Sequence, residues 1–246
     1  MAKAQPNEDD RQATGFANLT KIRFGEAAVL LTSVALTLAA GGAFAAPEMG
    51  AYTGKIGSVF PNTNGAKVLY NQNSNAAGTA IDSQNFTSGI NSSYSDAAAD
   101  DFVVPKGQTW TVTQVDVTGV YFVGSGPAAS ENVTFYNGKK VPRKTVKGGA
   151  FDELSCADKS GSFSCSLGKG IKLKAGHYWV SVVANCSGKS CGEWGWEMNS
   201  QVHNHPSVWE NPGSGLGVCF VWESIANCGL GYNVDLMFDL QGTLTK

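Results

Sequence analysis

One stretch of the chain, from Cys191 to Pro212, concentrates side chains that can bind or transform a ligand. It reads CGEWGWEMNSQVHNHPSVWENP and holds three tryptophans, two histidines and three glutamates. Tryptophan rings stack on the apolar faces of sugar rings, and neighbouring polar groups can fix the orientation of a bound sugar. The stretch therefore predicts either a glycan-binding surface or the core of a tryptophan-rich β-protein.

The tryptophans differ in their local context. On a strand, Trp194 and Trp196 share one face, and we expect at least one of them to pack in the core because tryptophan is highly buried on average. Trp209 and Trp222 flank glycine- and proline-rich turns, so we expect them to border a surface built from loops. The candidate ligand-binding residues are Trp194, Trp196, Trp209, Trp222, Glu193 and Glu210.

The glutamates of this stretch do not form an obvious catalytic pair. Glu193 and Glu197 lie four residues apart, which on a strand separates their Cα atoms by about 13 Å. Retaining and inverting glycosidases need carboxyl groups about 5–5.5 Å and about 6.5–9.5 Å apart. A pairing of Glu193 with Glu210 or Glu223 across strands stays open, and no catalytic residue is assigned.

His203 and His205 form a His-x-His pair. On a strand these two residues share a face at a separation of about 7 Å, which is a usable start for a zinc site. A third ligand would have to be His177 or a carboxylate. The alternative is that the NHP sequence simply forms a turn.

Carboxylates near two strands suggest a structural calcium ion. Asp100 and Asp101 precede a predicted strand, and Asp239 lies on the last one; the first and last strands of a closed sandwich are often neighbours. Carboxylates and backbone carbonyls there could hold calcium. The alternative is ordinary charge at strand ends, and no other cofactor is expected.

The six cysteines predict three disulfides. Their spacing favours three local pairs, each closing a short, turn-rich loop: Cys156–Cys165, Cys186–Cys191 and Cys219–Cys228. A cysteine metal cluster is disfavoured because no Cys-x-x-Cys occurs.

The first 45 residues are typical of a secretory signal peptide. Lys21 and Arg23 precede an apolar run of 14 residues, Ala27–Ala40, which is shorter than the roughly 20 residues that span a membrane. Small residues follow, and we expect cleavage after Ala45. The long charged region before the run favours a bacterial export signal of the extended type, so we expect a secreted or periplasmic protein with no membrane segment in its mature form.

The charge of the mature chain is nearly balanced, with 14 Lys and Arg against 16 Asp and Glu after residue 45. No basic run is long enough to follow phosphates, so nucleic acid is not an expected partner.

Strand patterns with glycine, proline and asparagine turns recur at intervals of roughly 8–12 residues, which predicts an all-β antiparallel sandwich. In QTWTVTQVDVTGVYFV the apolar phase slips near Gln114, which predicts a β-bulge. We expect a loose arm and a long polar loop over 46–97, with a strand contact near 66–70 and one or two more within the loop. The sandwich itself is expected over 98–246.

Several segments occur in an order that resembles a group of exported bacterial β-sandwich domains of unassigned function. They are SQNFTS (83–88), ADDFVVPKGQTWTVTQVDVTGVYF (99–122), NVTFYNGKKVP (132–142), IKLKAGHYWVSVVANC (171–186), EWGWE (193–197) and WENPGSGLGVCFVW (209–222). The resemblance implies a jelly-roll-like fold and no particular activity. The basic segment after Phe135, NGKKVPRKTVKGG, is shorter and more basic than the turn expected there.

Together these patterns predict a secreted, non-catalytic binding domain, with carbohydrate or a cell-surface polymer as its first ligand class. The alternative is a structural or adhesive matrix protein that binds other protein chains, and the third hypothesis is a glycan hydrolase. Exposure of the tryptophans separates the first two hypotheses, and a cleft with two carboxylates would favour the third.

Overall fold

The structure, a computed structural model, describes residues 66–87, 89, 91–187 and 191–246. The expected signal peptide over residues 1–45, its cleavage site and the arm up to residue 65 lie outside the described residues. Among the described residues, no helix is long and apolar enough to cross a membrane.

The described chain is built almost entirely from strands, with short 3₁₀ turns at Ser92–Tyr94 and Ile225–Cys228. The strands are β1 (Lys67–Asn71), β2 (Ala76–Asp82), β3 (Gln84–Phe86), β4 (Ala97–Val117), β5 (Gly119–Tyr121), β6 (Ser130–Asn137), β7 (Lys144–Leu154), β8 (Ala157–Lys159), β9 (Ser162–Cys186), β10 (Trp194–Asn199), β11 (Val208–Glu210), β12 (Glu223–Ser224), β13 (Asp235–Leu236) and β14 (Phe238–Thr245).

These strands form two sheets. The larger has the order β1-β14-β4-β9-β6-β7, with β3 and β8 paired to β9, and β11 to β4. The smaller has the order β13-β10-β2, with β5 beside β10. The β3–β9 pairing is parallel, and the other described pairings are antiparallel. The all-β antiparallel sandwich predicted from the sequence is confirmed.

Apolar side chains from both sheets fill one continuous core. Phe102 and Phe135 enter it from the larger sheet, and Trp194 and Trp196 from the smaller one. Phe163 links the two sets, because its ring stacks on Trp194 at 4.7 Å between centroids. Burial of large rings from both inner faces is what holds the two sheets together.

The bulge predicted near Gln114 is confirmed. The pairing of β4 with β9 shifts register between Val112 and Gln114, so Val112 and Val115, which a regular strand would place on opposite faces, are both buried. Glycines flank the bulge on both neighbouring strands, and a Cβ at Gly170 or Gly242 would overlap a backbone carbonyl of β4. The irregular backbone can therefore be accommodated only by residues without a side chain.

The segment VDLMFDL differs from the half-buried strand that its alternation indicates. It changes sheets at Met237, with β13 paired to β10 and β14 paired to β4. The crossing covers both faces of the segment, so Asp235 and Asp239 are buried along with the apolar residues.

Residues 71–97, expected as a long polar loop with one or two short strand contacts, contain two strands. They contribute β2, which pairs with β10 in the smaller sheet, and β3, which pairs with β9. The C-terminal half of β2 fits a strand because it reaches the core, where Ala80 and Ile81 are buried and Ile81 lies opposite Trp196. The expected domain boundary at residue 98 falls inside β4, which begins at Ala97.

The three local disulfide pairings are confirmed. The paired cysteines have Cα atoms 4.4 Å apart in Cys156–Cys165, 6.1 Å in Cys186–Cys191 and 5.5 Å in Cys219–Cys228. Each closes a short loop and restricts the unfolded chain by an amount worth roughly 2–3 kcal/mol.

Candidate functional site

All three histidines of the chain converge on two buried aspartates. His177 and His205 approach Asp101, and His203 approaches Asp235. The expected zinc pair of His203 and His205 is therefore corrected, because its two members point to different carboxylates. His205 instead joins His177, the third ligand considered from the sequence.

Asp101, His177 and His205 form a compact group, called here the histidine cluster. One ligand atom from each residue lies within 4.8 Å of the other two. Nε2 of His177 contacts Oδ2 of Asp101, and Nδ1 of His205 lies 3.5 Å from the same oxygen. The imidazole rings of the two histidines are 5.2 Å apart between centroids.

Strand register and a loop position these side chains. Asp101 of β4 lies opposite Trp179 of β9, so His177, two residues earlier on β9, shares its face on the diagonal. His205 comes from the loop between β10 and β11, where its backbone N–H donates to Asp101 at 3.2 Å. Asn204, in the left-handed region at φ 63°, turns the chain just before it.

The cluster is buried on the side of the carboxylate and open on the side of the rings. The Asp101 side chain is 0% exposed, whereas those of His177 and His205 are 19% and 40% exposed. Burial raises the pKa of Asp101, while the hydrogen bond and charge of His177 oppose that rise. The two imidazole rings are thus partly accessible to solvent, whereas the carboxylate that they contact is not.

A second histidine contact lies next to the cluster. Nδ1 of His203 is 3.2 Å from Oδ2 of Asp235, which also accepts the His203 backbone N–H at 2.5 Å. Burial raises the pKa of Asp235 to about 7, and the neighbouring charge of Asp101 adds to the rise. This side of the molecule thus combines buried carboxylates with partly exposed imidazoles.

A cavity of about 730 Å³ lies beside the cluster, and His177 belongs to its lining. The remaining described lining comes from the loop between β6 and β7: Gly138, Lys139, Lys140, Val141 and Arg143. This set, called here the cationic cavity, contains three cationic side chains, and apolar atoms supply most of its lining surface. Among the described residues that line it there is no carboxylate.

The cavity loop is held in place by specific contacts. The Arg143 backbone N–H donates to the Asn137 carbonyl at 2.9 Å and closes the loop. The buried Trp179 indole donates to the Gly138 carbonyl at 3.2 Å, and its ring stacks on His177 at 6.0 Å between centroids. Lys139 and Lys140 are exposed on this anchored turn, so their charges face the solvent at a defined place.

The tryptophans predicted to form a glycan platform are mostly buried. Trp194 and Trp196 are 0% exposed and Trp209 is 3% exposed. Each indole N–H is used inside the protein, donating to the carbonyls of Gly161, Met237 and Asp82, respectively.

The expectation that Trp209 borders a surface with Trp222 is therefore wrong. β11 pairs with β4, and this pairing brings Trp209 under the sheet rather than onto a loop. Trp222 is partly buried against Tyr136, at 5.9 Å between ring centroids.

The two glutamates assigned to that platform, Glu193 and Glu210, are not placed for sugar binding either. Glu193 is buried just before β10. Glu210 is half-buried, and burial raises its pKa to about 7 although the Trp222 backbone N–H opposes the rise. With the rings buried, the sequence argument for stacking on sugars no longer applies to these residues.

The calcium set of Asp100, Asp101 and Asp239 is also corrected. Oδ2 of Asp100 accepts hydrogen bonds from Gln72 Nε2 at 2.6 Å and from the Leu236 backbone N–H at 2.5 Å. Asp101 contacts His177 and His205 instead. Asp239 lies beside Gln241 near the other end of β4. The first and last strands are neighbours, but their register keeps the three carboxylates in separate networks.

A different group of buried carboxylates consists of Asp82, Asp96 and Glu193, called here the acidic cluster. Asp82 ends β2 opposite Gly195, while Asp96 precedes β4 and accepts the Gln84 backbone N–H at 2.9 Å. Both side-chain oxygens of Asp82 and Oδ2 of Asp96 are buried without a hydrogen bond in the described part of the chain. Burial raises the pKa of both aspartates, and the neighbouring carboxylates add to the rise for Asp82.

A second group with metal-ligand residue types has a structural explanation. Glu131, Cys156 and Cys165 lie close together, but the two sulfur atoms form a disulfide. Glu131 accepts the Cys156 backbone N–H at 3.0 Å and so fixes the start of that loop.

Sequence reasoning placed Asp101, His177 and His205 among candidate ligands but assigned them to different metals. The signal that could have joined them is the pairing of ADDFVV with GHYWVS on adjacent strands. The cationic cavity had a visible signal in the basic segment NGKKVPR.

Comparison of the chain with protein-family models, curated proteins and solved structures gives no match.

Proposed function

We propose that the protein is an exported binding domain whose ligand is an anionic cell-surface polymer, such as an acidic polysaccharide, held in the cationic cavity. The observation that carries this proposal is the cavity itself, lined by Lys139, Lys140, Arg143 and His177. Its volume of about 730 Å³ lies in the range of about 300–1,000 Å³ typical of ligand sites.

Charge distribution supports an anionic ligand. The whole chain has a formal net charge of −2, yet three cations gather within five positions on this one loop. Clustered cations attract anions and raise their local concentration, whereas a uniformly acidic surface would repel them. Arg143 can bind a carboxylate or phosphate through two N–H groups, and the lysines contribute point charges.

The anchoring of the loop supports binding over simple solvation. The Gly138 carbonyl is held by Trp179, and a Cβ at Gly138 would overlap the carbonyl oxygen of Val141. A turn closed in this way loses little freedom when a ligand arrives, which reduces the entropic cost of binding. The three disulfides agree with an oxidising compartment, where surface polymers occur.

Retention on immobilised polymers tests the proposal. The protein should be retained by acidic polysaccharides such as polygalacturonate or alginate, and by teichoic acid, but not by neutral dextran or cellulose. Retention should weaken as salt rises, because the contact is electrostatic.

Two matched double variants locate the contact. Lys139→Ala/Lys140→Ala should weaken binding at least about 10-fold, which corresponds to about 1.4 kcal/mol. Lys169→Ala/Lys172→Ala removes the same charge from exposed positions on β9 outside the cavity lining and should change binding far less. Equal binding of neutral polymers, or equal losses in both doubles, would rule the proposal out.

A further inference from the structure

The contact between His205 and Asp101 needs an explanation beyond ordinary packing. Nδ1 of His205 is buried and has no hydrogen-bond partner among the described residues. It nevertheless lies 3.5 Å from Oδ2 of Asp101, an oxygen that His177 Nε2 also contacts. Two electronegative atoms held this close need a proton or a metal ion between them, and 3.5 Å is longer than a well-formed hydrogen bond.

The separation of His205 from Asp101 matches that of two ligands on one metal ion. Two ligands bound at about 2.1 Å in a tetrahedral site are separated by about 3.4 Å. The His205 to Asp101 separation of 3.5 Å is close to that value, and the three candidate ligand atoms lie within 4.8 Å of one another. Metal binding would replace the direct contact between His177 Nε2 and Asp101 Oδ2, because both atoms would then coordinate the ion.

The ligand types favour one class of metal. Two imidazoles with one carboxylate suit zinc and its neighbours, whereas calcium and magnesium prefer oxygen ligands. Three protein ligands leave a fourth position of a tetrahedral ion open, and the partly exposed rings of the two histidines border the solvent beside it.

We propose that Asp101, His177 and His205 bind one divalent transition-metal ion of the zinc class, with an open coordination position beside the cationic cavity. This site deepens the proposed function, on which it rests only for the identity of the anion. A carboxylate or phosphate of the polymer can occupy the open position while Lys139 and Lys140 neutralise its remaining charge.

Zinc titration of the chelator-stripped protein, with its disulfides intact, tests the site without any polymer. Calorimetry should show one zinc ion bound per chain, and calcium chloride should not displace it. Cobalt(II) substituted for zinc should give the visible absorption of a tetrahedral ion, which an imidazole–carboxylate ion pair without metal cannot produce.

Two single variants form a matched pair. His205→Ala should weaken zinc binding at least about 100-fold, because even outer-shell partners of a metal are worth about 10–100-fold. His203→Ala removes an equally exposed histidine two residues away, one that faces Asp235, and should leave zinc binding unchanged. Circular dichroism of both variants checks that they are folded.

The outcomes separate this site from the polymer proposal. Failure of the wild-type protein to take up zinc, or equal losses in His205→Ala and His203→Ala, would overturn the metal site. Zinc binding retained in Lys139→Ala/Lys140→Ala, together with polymer binding lost, supports both proposals. Zinc binding without any polymer retention leaves the metal site intact and removes the polymer function.

Discussion

Two clusters of buried carboxylates in this sandwich differ in what surrounds the negative charge. In the histidine cluster, the buried Asp101 faces two imidazoles that are partly open to solvent. In the acidic cluster, Asp82 and Asp96 are buried beside Glu193, and three of their oxygens have no hydrogen bond among the described residues. The same residue type therefore lies beside partly exposed imidazoles in one place and is destabilising as an anion in the other.

The difference follows from the neighbouring elements. β9 and the loop after β10 bring His177 and His205 to Asp101. At the acidic cluster, the neighbours are the apolar end of β10 and the Trp209 ring, whose indole donates to the Asp82 carbonyl at 2.9 Å. Packing should dominate the energetics of the acidic cluster, and binding should dominate at the histidine cluster.

The largest expected effect on the free energy of unfolding is at the Trp209 ring, beside the acidic cluster. Trp209→Ala should lower the free energy of unfolding by about 3–5 kcal/mol, because it leaves a cavity where a ring only 3% exposed had packed. Trp222→Ala is the matched control, and its partly buried ring should cost about 1–2 kcal/mol. Urea unfolding of both variants measures the difference. Equal losses in the two variants would show that the Trp209 ring is packed no more tightly than the Trp222 ring.

A smaller effect on stability is expected when the pH changes. Burial raises the pKa of Asp82 and Asp96 well above the ordinary value, and that of Glu197 to about 7. The folded protein then holds protons that the unfolded chain has released, so stability falls as pH rises from the ordinary carboxyl pKa through the raised one. In chelator, the thermal midpoint should be roughly 2–4 °C lower at pH 8 than at pH 5.5.

Asp82→Asn sharpens this pH prediction. It removes the carboxylate whose two oxygens have no partner, so it should reduce the pH dependence and raise the midpoint at pH 8 relative to wild type. Asp152→Asn, at an exposed carboxyl, serves as the control and should leave the pH dependence unchanged. A thermal midpoint that rises between pH 5.5 and pH 8 would contradict the prediction that ionised carboxylates of the acidic cluster destabilise the fold.

The smallest effect on stability is expected at the histidine cluster. His205→Ala should change the metal-free free energy of unfolding by less than about 0.5 kcal/mol, as for other partly exposed positions, although it should remove zinc binding. His177→Ala should cost more, because His177 is less exposed and directly contacts Asp101. Denaturant unfolding in chelator compares the two. A large loss in His205→Ala would mean that the loop is structural, and the contrast between the clusters would weaken.

Local patterns were sufficient for several features of the fold. Alternating apolar residues predicted the strands, the phase slip near Gln114 predicted the bulge, and short loops between cysteines predicted all three disulfides. Each of these depends on residues close together in the chain, so sequence spacing alone carries the information.

Longer-range properties were not predictable in the same way. Residues 76–82 look like part of a polar loop, but they form β2 because β10 offers them a partner and Ile81 joins the core opposite Trp196. Trp209 sits beside a glycine-rich turn, yet the pairing of β11 with β4 buries it. Exposure depends on what lies above a residue, and that neighbour is usually distant in the sequence.

The candidate site shows the same division. The sequence by itself determined that Asp101, His177 and His205 have metal-ligand chemistry and that NGKKVPR is basic. Only the tertiary structure decided that His205 joins His177 rather than His203, since this choice depends on the register of β4 with β9 and on the loop after β10. Side-chain type sets what a residue can bind, whereas the packing of distant strands sets which residues can bind together.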